Sequence, residues 1–197
     1  MENMPVVKEF IELAKLDCAS RHERLVVDVV TKKLKELGFT VREDGTAAKV
    51  EGEAGNVCAY LEGTAKGCVL FAAHLDRVQN GLGIKPQIKD GNLVSDGTTI
   101  LAADDLSGVA AILDGIRRAL ASGKPHPRIE VLFSVCEEIG VQGTRHLDTS
   151  LFEAKYGFVL DSPGRVGRVL DAAMGKAELF LDIKGKAAHA AYPELGV

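Results

Sequence analysis

The chain has 197 residues, enough for one well-buried core and part of a second domain. Hydrophobic residues make up 46% of it and charged residues 26%, as in ordinary globular proteins, and the net charge is −4 with both signs interspersed. Nothing in this balance indicates a nucleic-acid partner, because such a partner usually requires a clustered basic face. The sequence also offers no membrane span, since no apolar stretch reaches the roughly 18 residues that one needs.

The cysteines indicate a reducing compartment. Cys18, Cys58, Cys68 and Cys136 show no C-x-x-C spacing, and three of the four lie in or beside apolar runs. They are therefore interpreted as small buried hydrophobes rather than as a disulfide or zinc-thiolate framework. Residues 1–5 lack the basic-then-apolar order of a signal peptide, so the expected location is the cytoplasm.

Two helices are predicted in the first part of the chain. Apolar residues recur at helical spacing from Val6 to Leu16. A second helix is predicted to follow the capping box Ser20-Arg21-His22-Glu23 and to end at Gly38. The Ser and Glu side chains of such a box bond each other's backbone N–H groups.

The rest of the chain alternates short apolar strands with helices. Residues 81–99 are polar and glycine-spaced, with a turn at Asp90-Gly91, and are interpreted as a long loop or hairpin arm. Helices are predicted over Leu106–Ala121 and Thr144–Phe152. The alternation favours an α/β sandwich with a largely parallel central sheet. The predicted strands are Thr40–Arg42, Val57–Leu61, Cys68–Ala73, Ile129–Cys136, Tyr156–Leu160, Arg168–Ala172 and Ala177–Ile183.

Acidic residues and one histidine follow these apolar runs. Ligands of an open α/β sheet bind outside the carboxyl ends of its strands, so we expect these side chains to converge on one pocket. The pattern indicates a metal site with one carboxylate to spare. The residues concerned are His74, Asp76, Asp104, Asp105, Glu137, Glu138 and Asp161.

His74 is the candidate nitrogen ligand. Asp76, two residues on, could accept the second N–H of its imidazole, as the partner of a metal-bound histidine does. The tripeptide alone is weak evidence, because His146-Leu147-Asp148 repeats it in a predicted helix. A chance occurrence therefore stays an alternative, and His146 is interpreted as a surface or packing residue.

Both acid pairs have a simpler alternative. Asp104-Asp105 precedes a helix, where one Asp could be an N-cap, but a cap does not account for two acids. A carboxylate there can bridge two metals, one through each oxygen. Glu137-Glu138 would be tolerated at a solvated strand end, whereas in a closed site the two charges repel. A division of labour explains the pair better: one Glu binds metal, and the other takes a proton from water.

The ligand types indicate the metal and the reaction. Imidazole nitrogen and carboxylate oxygen suit zinc, manganese or cobalt. Two such ions about 3.5–4 Å apart polarise a carbonyl and generate hydroxide, so the implied reaction is hydrolysis of an amide. Phosphate-ester hydrolysis uses similar ligands, but the sequence has no Gly-rich phosphate loop to recommend it.

In their order along the chain, the motifs resemble those of the M20 metallopeptidases, most closely the peptidase T-like branch of dinuclear zinc aminopeptidases. The resemblance implies a three-layer α/β sandwich as the catalytic domain, residues 1–175, and the beginning of a lid or dimerisation domain in residues 176–197. It covers nearly the whole chain. The motifs are His74-Leu75-Asp76, the run Ser95 to Asp105, Glu137-Glu138-Ile139-Gly140 and Asp161-Ser162.

The resemblance also implies a ligand set of two metal ions. His74 and Asp161 would bind one Zn²⁺ and Glu138 the second. Asp104 would bridge the two ions and be joined to Asp105 by a cis peptide. Mn²⁺ or Co²⁺ could replace Zn²⁺.

The implied catalytic residues are Asp76, which would orient His74, and Glu137, the general base. His189 would help to hold the substrate carbonyl as it becomes an oxyanion. The alternative for His189 is a surface histidine in a segment of small residues.

The chain departs from the family pattern in places. Arg77 and Leu106 stand where the family usually has a small residue and a lysine, and either could alter substrate preference. Members of the family finish the lid and add a final zinc-binding histidine. His22, His126 and His146 lie in no matching context, so the second zinc is expected to lack a ligand within these 197 residues. These residues also lack elements that would cover the sheet in the family, so exposed apolar surface and a homo-oligomer are expected.

The expected function is zinc-dependent hydrolysis of peptide bonds near the N-terminus of short peptides, as in a tripeptidase-like aminopeptidase. Two alternatives stay open. One is a related deacylase or carboxypeptidase, because the same metal centre serves many amide substrates. The other is an inactive, metal-poor fragment. Neither a nucleic acid nor a membrane is an expected partner.

Overall fold

The computed structural model describes residues 3–172, 175, 177, 179–182 and 184–196. It divides into two compact units, Met1–Pro163 and Gly164–Val197. The helices and strands of the sheets all belong to the first unit, which also holds the acidic strand ends. The division into residues 1–175 and 176–197 stays a prediction.

Five α-helices and seven β-strands are described. Short 3-10 turns occur at Gln79–Gly81, Thr149–Leu151 and Pro193–Leu195. The helices are α1 (Pro5–Ala14), α2 (Arg24–Glu36), α3 (Ala47–Val50), α4 (Ala103–Ala121) and α5 (Gln142–Arg145). The strands are β1 (Thr40–Glu43), β2 (Val57–Leu61), β3 (Cys68–His74), β4 (Gln87–Lys89), β5 (Asn92–Val94), β6 (Arg128–Ser134) and β7 (Gly157–Val159).

The central sheet has the order β1-β2-β6-β3-β7. β3 pairs in parallel with β6 and β7, and β2 is antiparallel to both of its neighbours. Four of the five strands therefore point the same way, and β2 alone is reversed. The predicted α/β class with a largely parallel central sheet is confirmed.

Strand register brings the chemistry to one edge of this sheet. His74, the last residue of β3, lies opposite Ser134, the last residue of β6. Ala72 of β3 lies opposite Val159, the last residue of β7. The segments that follow these three strands therefore leave the sheet on the same side, where ligands of α/β sheets bind.

The main core lies on one face of the sheet, under α1, α2 and α4. Alternate side chains of a strand point to opposite faces, so Val131 and Phe133 enter this core while Leu132 faces away. Fully buried residues such as Leu13, Leu34, Leu106 and Leu113 fill it, each contributing about 1.5–3 kcal/mol of burial free energy. On the other face a smaller cluster packs against Leu147, Leu151 and Phe152.

Apolar surface remains open beside β7, as expected from the sequence. Phe158 and Val159 are 48% and 70% exposed, and the Phe158 ring stacks on Phe71 with centroids 5.9 Å apart. A groove of about 370 Å³ runs between α4 and the sheet on that side, with Phe71, Ile112 and Ile116 in its lining. No helix within the described ranges is both long and apolar enough to cross a membrane.

Several element predictions need correction. The predicted helix Thr144–Phe152 is interrupted: α5 ends at Arg145, and Asp148 starts a 3-10 turn by accepting a hydrogen bond from Ser150 N. Arg168–Ala172 contains no strand. The predicted strand Ala177–Ile183 lies partly outside the described residues, since Glu178 and Ile183 are not described, and its remaining residues form no strand.

The interpretation of residues 81–99 as a hairpin arm is confirmed. β4 and β5 form a two-stranded antiparallel sheet. The turn between them has positive φ at Asp90 (50°) and at Gly91 (73°), the backbone that two-residue hairpins favour.

Candidate metal centre

His74 is the centre of the acidic cluster. Its side chain is 2% exposed. Nδ1 lies 3.0 Å from the carbonyl oxygen of Asp76, and Nε2 lies 3.0 Å from Asp104 Oδ1 and 4.0 Å from Asp161 Oδ2. An Nδ1–H that donates to the carbonyl leaves Nε2 directed at the carboxylates, which is the tautomer that a metal ligand needs.

The electrostatics around His74 favour a positive charge. Burial disfavours the imidazolium, but hydrogen bonds and attraction from Asp76 and Asp104 outweigh burial and raise the pKa of His74 to about 10. Without a metal, the proton on His74 supplies positive charge among the carboxylates. A divalent cation would serve the same carboxylates with a larger charge.

Two overlapping triads of ligand atoms share His74. One consists of His74, Asp104 and Glu138, and the other of His74, Glu137 and Asp161, with the atoms of each within 4.8 Å of one another. A tetrahedral zinc, with ligands at about 2.0–2.2 Å, separates its ligand atoms by about 3.4 Å. The triads therefore need only small side-chain movements to enclose an ion, and their nitrogen and oxygen donors fit zinc, manganese or cobalt.

Asp76 lies beneath the triads and is fully buried. Its Oδ1 accepts the backbone N–H of Glu137 at 2.9 Å, and its Oδ2 accepts that of Glu138 at 3.1 Å and the hydroxyl of Ser20 at 2.6 Å. Burial opposes its ionisation, but hydrogen bonds from His74, Ser20 and Glu137 lower the pKa of Asp76. His74 Nδ1 lies 3.4 Å from the Asp76 carboxylate but only 3.0 Å from the Asp76 carbonyl oxygen. Asp76 therefore orients the histidine mainly through its carbonyl and the Glu pair through its carboxylate.

A cis peptide joins Asp104 and Asp105, and the two side chains differ in exposure. Asp104 is 70% exposed on the rim of the cluster. Asp105 is 2% exposed and accepts the backbone N–H groups of His74 and Gly108. Burial is the main cause that raises the pKa of Asp105 to about 8, and the nearby Asp161 and Asp104 add to it. Asp105 therefore holds β3 and α4 together, and Asp104 is the member available to a metal.

The Glu pair and Asp161 complete the cluster. Glu137 and Glu138 are half-buried, and burial raises the pKa of each carboxyl, with the neighbouring acids adding repulsion. Burial likewise raises the pKa of Asp161, and repulsion from Asp104 adds to it. Carboxylates that repel one another in this way attract a cation.

Two clefts border the triads. One, of about 500 Å³, lies beside Glu138 and is lined by both polar and apolar residues, including Arg21 and Ile139. The other, of about 340 Å³, lies beside Asp104 and Asp161. Together they provide room for a short chain on either side of the cluster.

Other predicted residues lie elsewhere. His189 belongs to the second unit, where it is exposed and its Nδ1 accepts the N–H of Ala191, so its role stays a prediction. His146 is exposed, as expected. Arg77 and Leu106 are both 0% exposed, which leaves them no surface that a substrate could touch. Any influence of these two residues on substrate preference must act through packing.

The predicted capping box is wrong. α2 begins at Arg24, and its N-cap, Glu23, makes no side-chain cap hydrogen bond. Ser20 instead donates to Asp76, and the Glu23 carboxylate accepts the N–H of Cys136 at 3.0 Å. The S-x-x-E pattern fits both a helix cap and the arrangement observed here. Only the distant partners, Asp76 and Cys136, show which of the two is present.

This fold, with its histidine and carboxylates at the strand ends, is that of a peptidase catalytic domain. A family model described as Peptidase family M28 matches residues 56–193, and the chain belongs to that family.

Three similar proteins each match nearly the whole of this chain. The uncharacterized protein YqjE of Bacillus subtilis (strain 168) is 39% identical over 194 residues, 98% of this chain and 52% of that protein. The crystal structure of aminopeptidase PepT from Bacillus cereus ATCC 10987 has a TM-score of 0.83 at 39% identity and covers the same shares, 98% and 52%. A tripeptidase from Staphylococcus aureus has a TM-score of 0.82 at 27% identity, again over 98% and 52%. The chain thus spans about half the length of these relatives.

Proposed function

We propose that the chain carries the metal centre of a zinc-dependent aminopeptidase of the M20 peptidase T-like branch, which hydrolyses peptide bonds of short peptides. The observation that carries the proposal is the clustering of Asp104, Glu137, Glu138 and Asp161 around His74. The division of roles among them follows the family resemblance. The likeness to PepT and to the S. aureus tripeptidase supports the branch and the substrate class. The four free cysteines fit the proposed location, the cytoplasm.

His74, Asp104 and Asp161 are the proposed ligands of one ion, and Asp104 and Glu138 those of a second. A bound divalent ion would polarise the scissile carbonyl and lower the pKa of a water molecule. Asp104 suits the bridging position because it stands at the exposed rim, 3.0 Å from His74 Nε2. Asp105, which already accepts two backbone N–H groups, is left out of the ligand set.

Glu137 is the proposed general base. It accepts a proton from the attacking water at a carboxylate oxygen and then delivers it to the leaving nitrogen. Burial raises the pKa of Glu137, and a raised pKa makes the carboxylate a stronger base. His189 is proposed to hold the substrate carbonyl oxygen.

The test is a pair of variants in adjacent residues. The variants are made in the 197-residue chain and, in parallel, in a longer protein that contains these 197 residues. Glu137→Gln should abolish tripeptide hydrolysis and retain the bound metal, whereas Glu138→Gln should lose both. Metal is measured by elemental analysis after gel filtration. If Glu137→Gln also loses its metal, or if it retains turnover, the proposed division of roles is wrong.

A substrate panel tests the specificity. Tripeptides with a free or an acetylated N-terminus, and with a free or an amidated C-terminus, are compared. An aminopeptidase requires the free N-terminus. Hydrolysis of the acetylated peptides instead would favour a deacylase or carboxypeptidase.

A further inference from the structure

Ser20 and Glu23 lie behind the candidate metal centre, in the segment between α1 and α2. The hydroxyl of Ser20 donates to Asp76 Oδ2 at 2.6 Å. Glu23 is 0% exposed, and its Oε1 accepts the N–H of Arg21 at 3.0 Å and the N–H of Cys136 at 3.0 Å. Neither side chain takes part in the proposed chemistry, but Ser20 contacts Asp76, and Glu23 contacts Cys136, the residue directly before the Glu pair.

Two buried carboxylates hold three consecutive backbone N–H groups just after β6. Glu23 accepts the N–H of Cys136, and Asp76 accepts those of Glu137 and Glu138. Cys136 has a φ of 54°, in the left-handed region that a non-glycine residue rarely occupies. The conformation that sends Glu137 and Glu138 toward His74 is therefore held by acceptors outside its own segment.

The arrangement around Glu23 is costly for the fold. Its Oε2 is buried and has no hydrogen-bond partner among the described residues. An unpaired polar atom in the interior destabilises the fold, and burial raises the pKa of this carboxyl. An apolar side chain would pack here without that cost, but it would leave the N–H of Cys136 without an acceptor.

We infer that Ser20 and Glu23 are positioning residues of the metal centre. Glu23 fixes the backbone at Cys136, and Ser20 fixes the Asp76 carboxylate that holds the next two amides. Together they set the directions of the Glu137 and Glu138 side chains. The inference rests on the proposed function, because it assumes that these carboxylates serve a metal.

Zinc affinity is the direct readout. The metal-free 197-residue chain is titrated with Zn²⁺ against a chromophoric chelator, and Co²⁺ absorption bands report the ligand geometry. Glu23→Leu removes the hydrogen-bond acceptor, and Ser20→Ala removes the donor. Glu23→Gln keeps an acceptor, and Ser20→Thr keeps a donor. Thermal unfolding is recorded for each.

Glu130→Leu is the matched control. Glu130 is also 0% exposed, and its carboxylate also accepts two backbone N–H groups, those of Glu153 and Ala154. It lies near the beginning of β6 rather than at the end that carries the acid pair. Its loss should lower the Tm without changing the Zn²⁺ affinity.

Removal of a residue that supports metal ligands typically weakens metal binding by about 10–100-fold. We expect that loss, with altered Co²⁺ bands, for Glu23→Leu and Ser20→Ala, and values within about threefold of wild type for Glu23→Gln and Ser20→Thr. If the two disruptive variants fold and bind Zn²⁺ as tightly as wild type, the inference is overturned. If Glu23→Leu does not fold, the Ser20→Ala and Ser20→Thr pair decides.

The outcomes also separate this inference from the proposed function. A wild-type chain that binds no Zn²⁺ or Co²⁺ contradicts the metal centre itself, and the inference with it. A wild-type chain that binds metal, with disruptive variants that bind equally well, contradicts the positioning role alone.

Discussion

At the residue scale, a proton and the proposed metal ion would compete for the same nitrogen of His74. Nδ1 is occupied by the carbonyl oxygen of Asp76, so Nε2 faces the carboxylates of Asp104 and Asp161. Metal ligands must be deprotonated to bind, and metal uptake at such a site therefore releases a proton. In the absence of a metal, Asp76 and, after it, Asp104 raise the pKa of His74.

This basicity predicts how the stability of the metal-free chain depends on pH. The pKa of His74 is raised to about 10 and that of Asp105 to about 8, so the folded state keeps protons that the unfolded state releases. The contribution of these two groups to stability is therefore fully present below their unfolded pKa values and is lost as the pH rises through the folded pKa values. Between pH 7 and 9 we expect the free energy of unfolding to fall by about 4 kcal/mol, with the larger share from His74, measured by urea denaturation in the presence of a chelator.

His74→Asn is the control for that experiment. It removes the imidazole and leaves Asp105 in place, so the decline between pH 7 and 9 should become shallower, with the part caused by Asp105 remaining. An equally steep decline in His74→Asn would show that other groups cause it.

Arg77 connects several buried backbone carbonyl groups. Its guanidinium donates to the carbonyl oxygens of Ala14, Leu16 and Gly81 and to the sulfur of Cys18. Ala14 is the last residue of α1, so a cation here complements the negative end of the helix. The side chain joins α1 to the segment that follows His74.

Arg77→Leu should destabilise the chain by about 3 kcal/mol, because it leaves buried carbonyl groups without donors. Urea denaturation measures the change, and Arg77→Lys, which keeps the charge but not the planar fork, should fall between Arg77→Leu and wild type. A loss below about 1 kcal/mol for Arg77→Leu would contradict this account.

Residues were predictable from the sequence where the signal was local. His74, Asp104, Glu137 and their neighbours stand out because each follows an apolar run, and parallel strands end at one edge. The roles of Ser20 and Glu23 were not predictable, because their pattern also fits a helix cap. Their partners, Asp76 and Cys136, are 56 and 113 residues away along the chain.

At the element scale, the start of α4 sets the position of Asp104 and Asp105. The helix has non-helical angles at both residues, and a few residues later Gly108 packs against the end of the β7 segment. A Cβ on Gly108 would meet the Asp105 carboxylate and would lie 2.8 Å from the carbonyl oxygen of Leu160. The absence of a side chain at this position lets the helix approach the strand end.

Gly108→Ala should therefore destabilise the chain and weaken Zn²⁺ binding, although Gly→Ala inside a helix usually stabilises. Gly115, in the same helix, is the matched control, since a Cβ there would have nothing within 4 Å. Gly115→Ala should stabilise by about 0.5–1 kcal/mol and leave metal binding unchanged. Thermal unfolding and Zn²⁺ titration of both variants check this, and equal effects of the two substitutions would refute it.

Strand positions were predictable because buried strands read as short apolar runs. β2 occupies Val57–Leu61, as predicted, and β3 extends the predicted Cys68–Ala73 by one residue. Helix boundaries were less predictable where polar side chains compete with the backbone, as at Asp148. The start of α4 was also missed, because no sequence pattern identifies its non-helical first turn.

At the scale of the whole molecule, pairing between distant strands creates the site. The reversed strand β2 lies between β1 and β6, and β6 separates β2 from β3. The sequence indicated a largely parallel sheet but not this order, because strand order depends on contacts between residues far apart in the chain. The convergence of the acids required only parallel strands with aligned ends, so it was predictable without that order.

The most direct test of the central claim compares the two copies of one tripeptide. His74-Leu75-Asp76 lies in the proposed metal centre, whereas His146 and Asp148 of the second copy are exposed outside it. The measurement is calorimetric titration of the metal-free chain with Zn²⁺ for wild type, His74→Ala and His146→Ala. The account predicts that wild type and His146→Ala bind equally tightly and that His74→Ala binds at least about 100-fold more weakly. Equal binding by His74→Ala and wild type, or no binding by wild type, would contradict it.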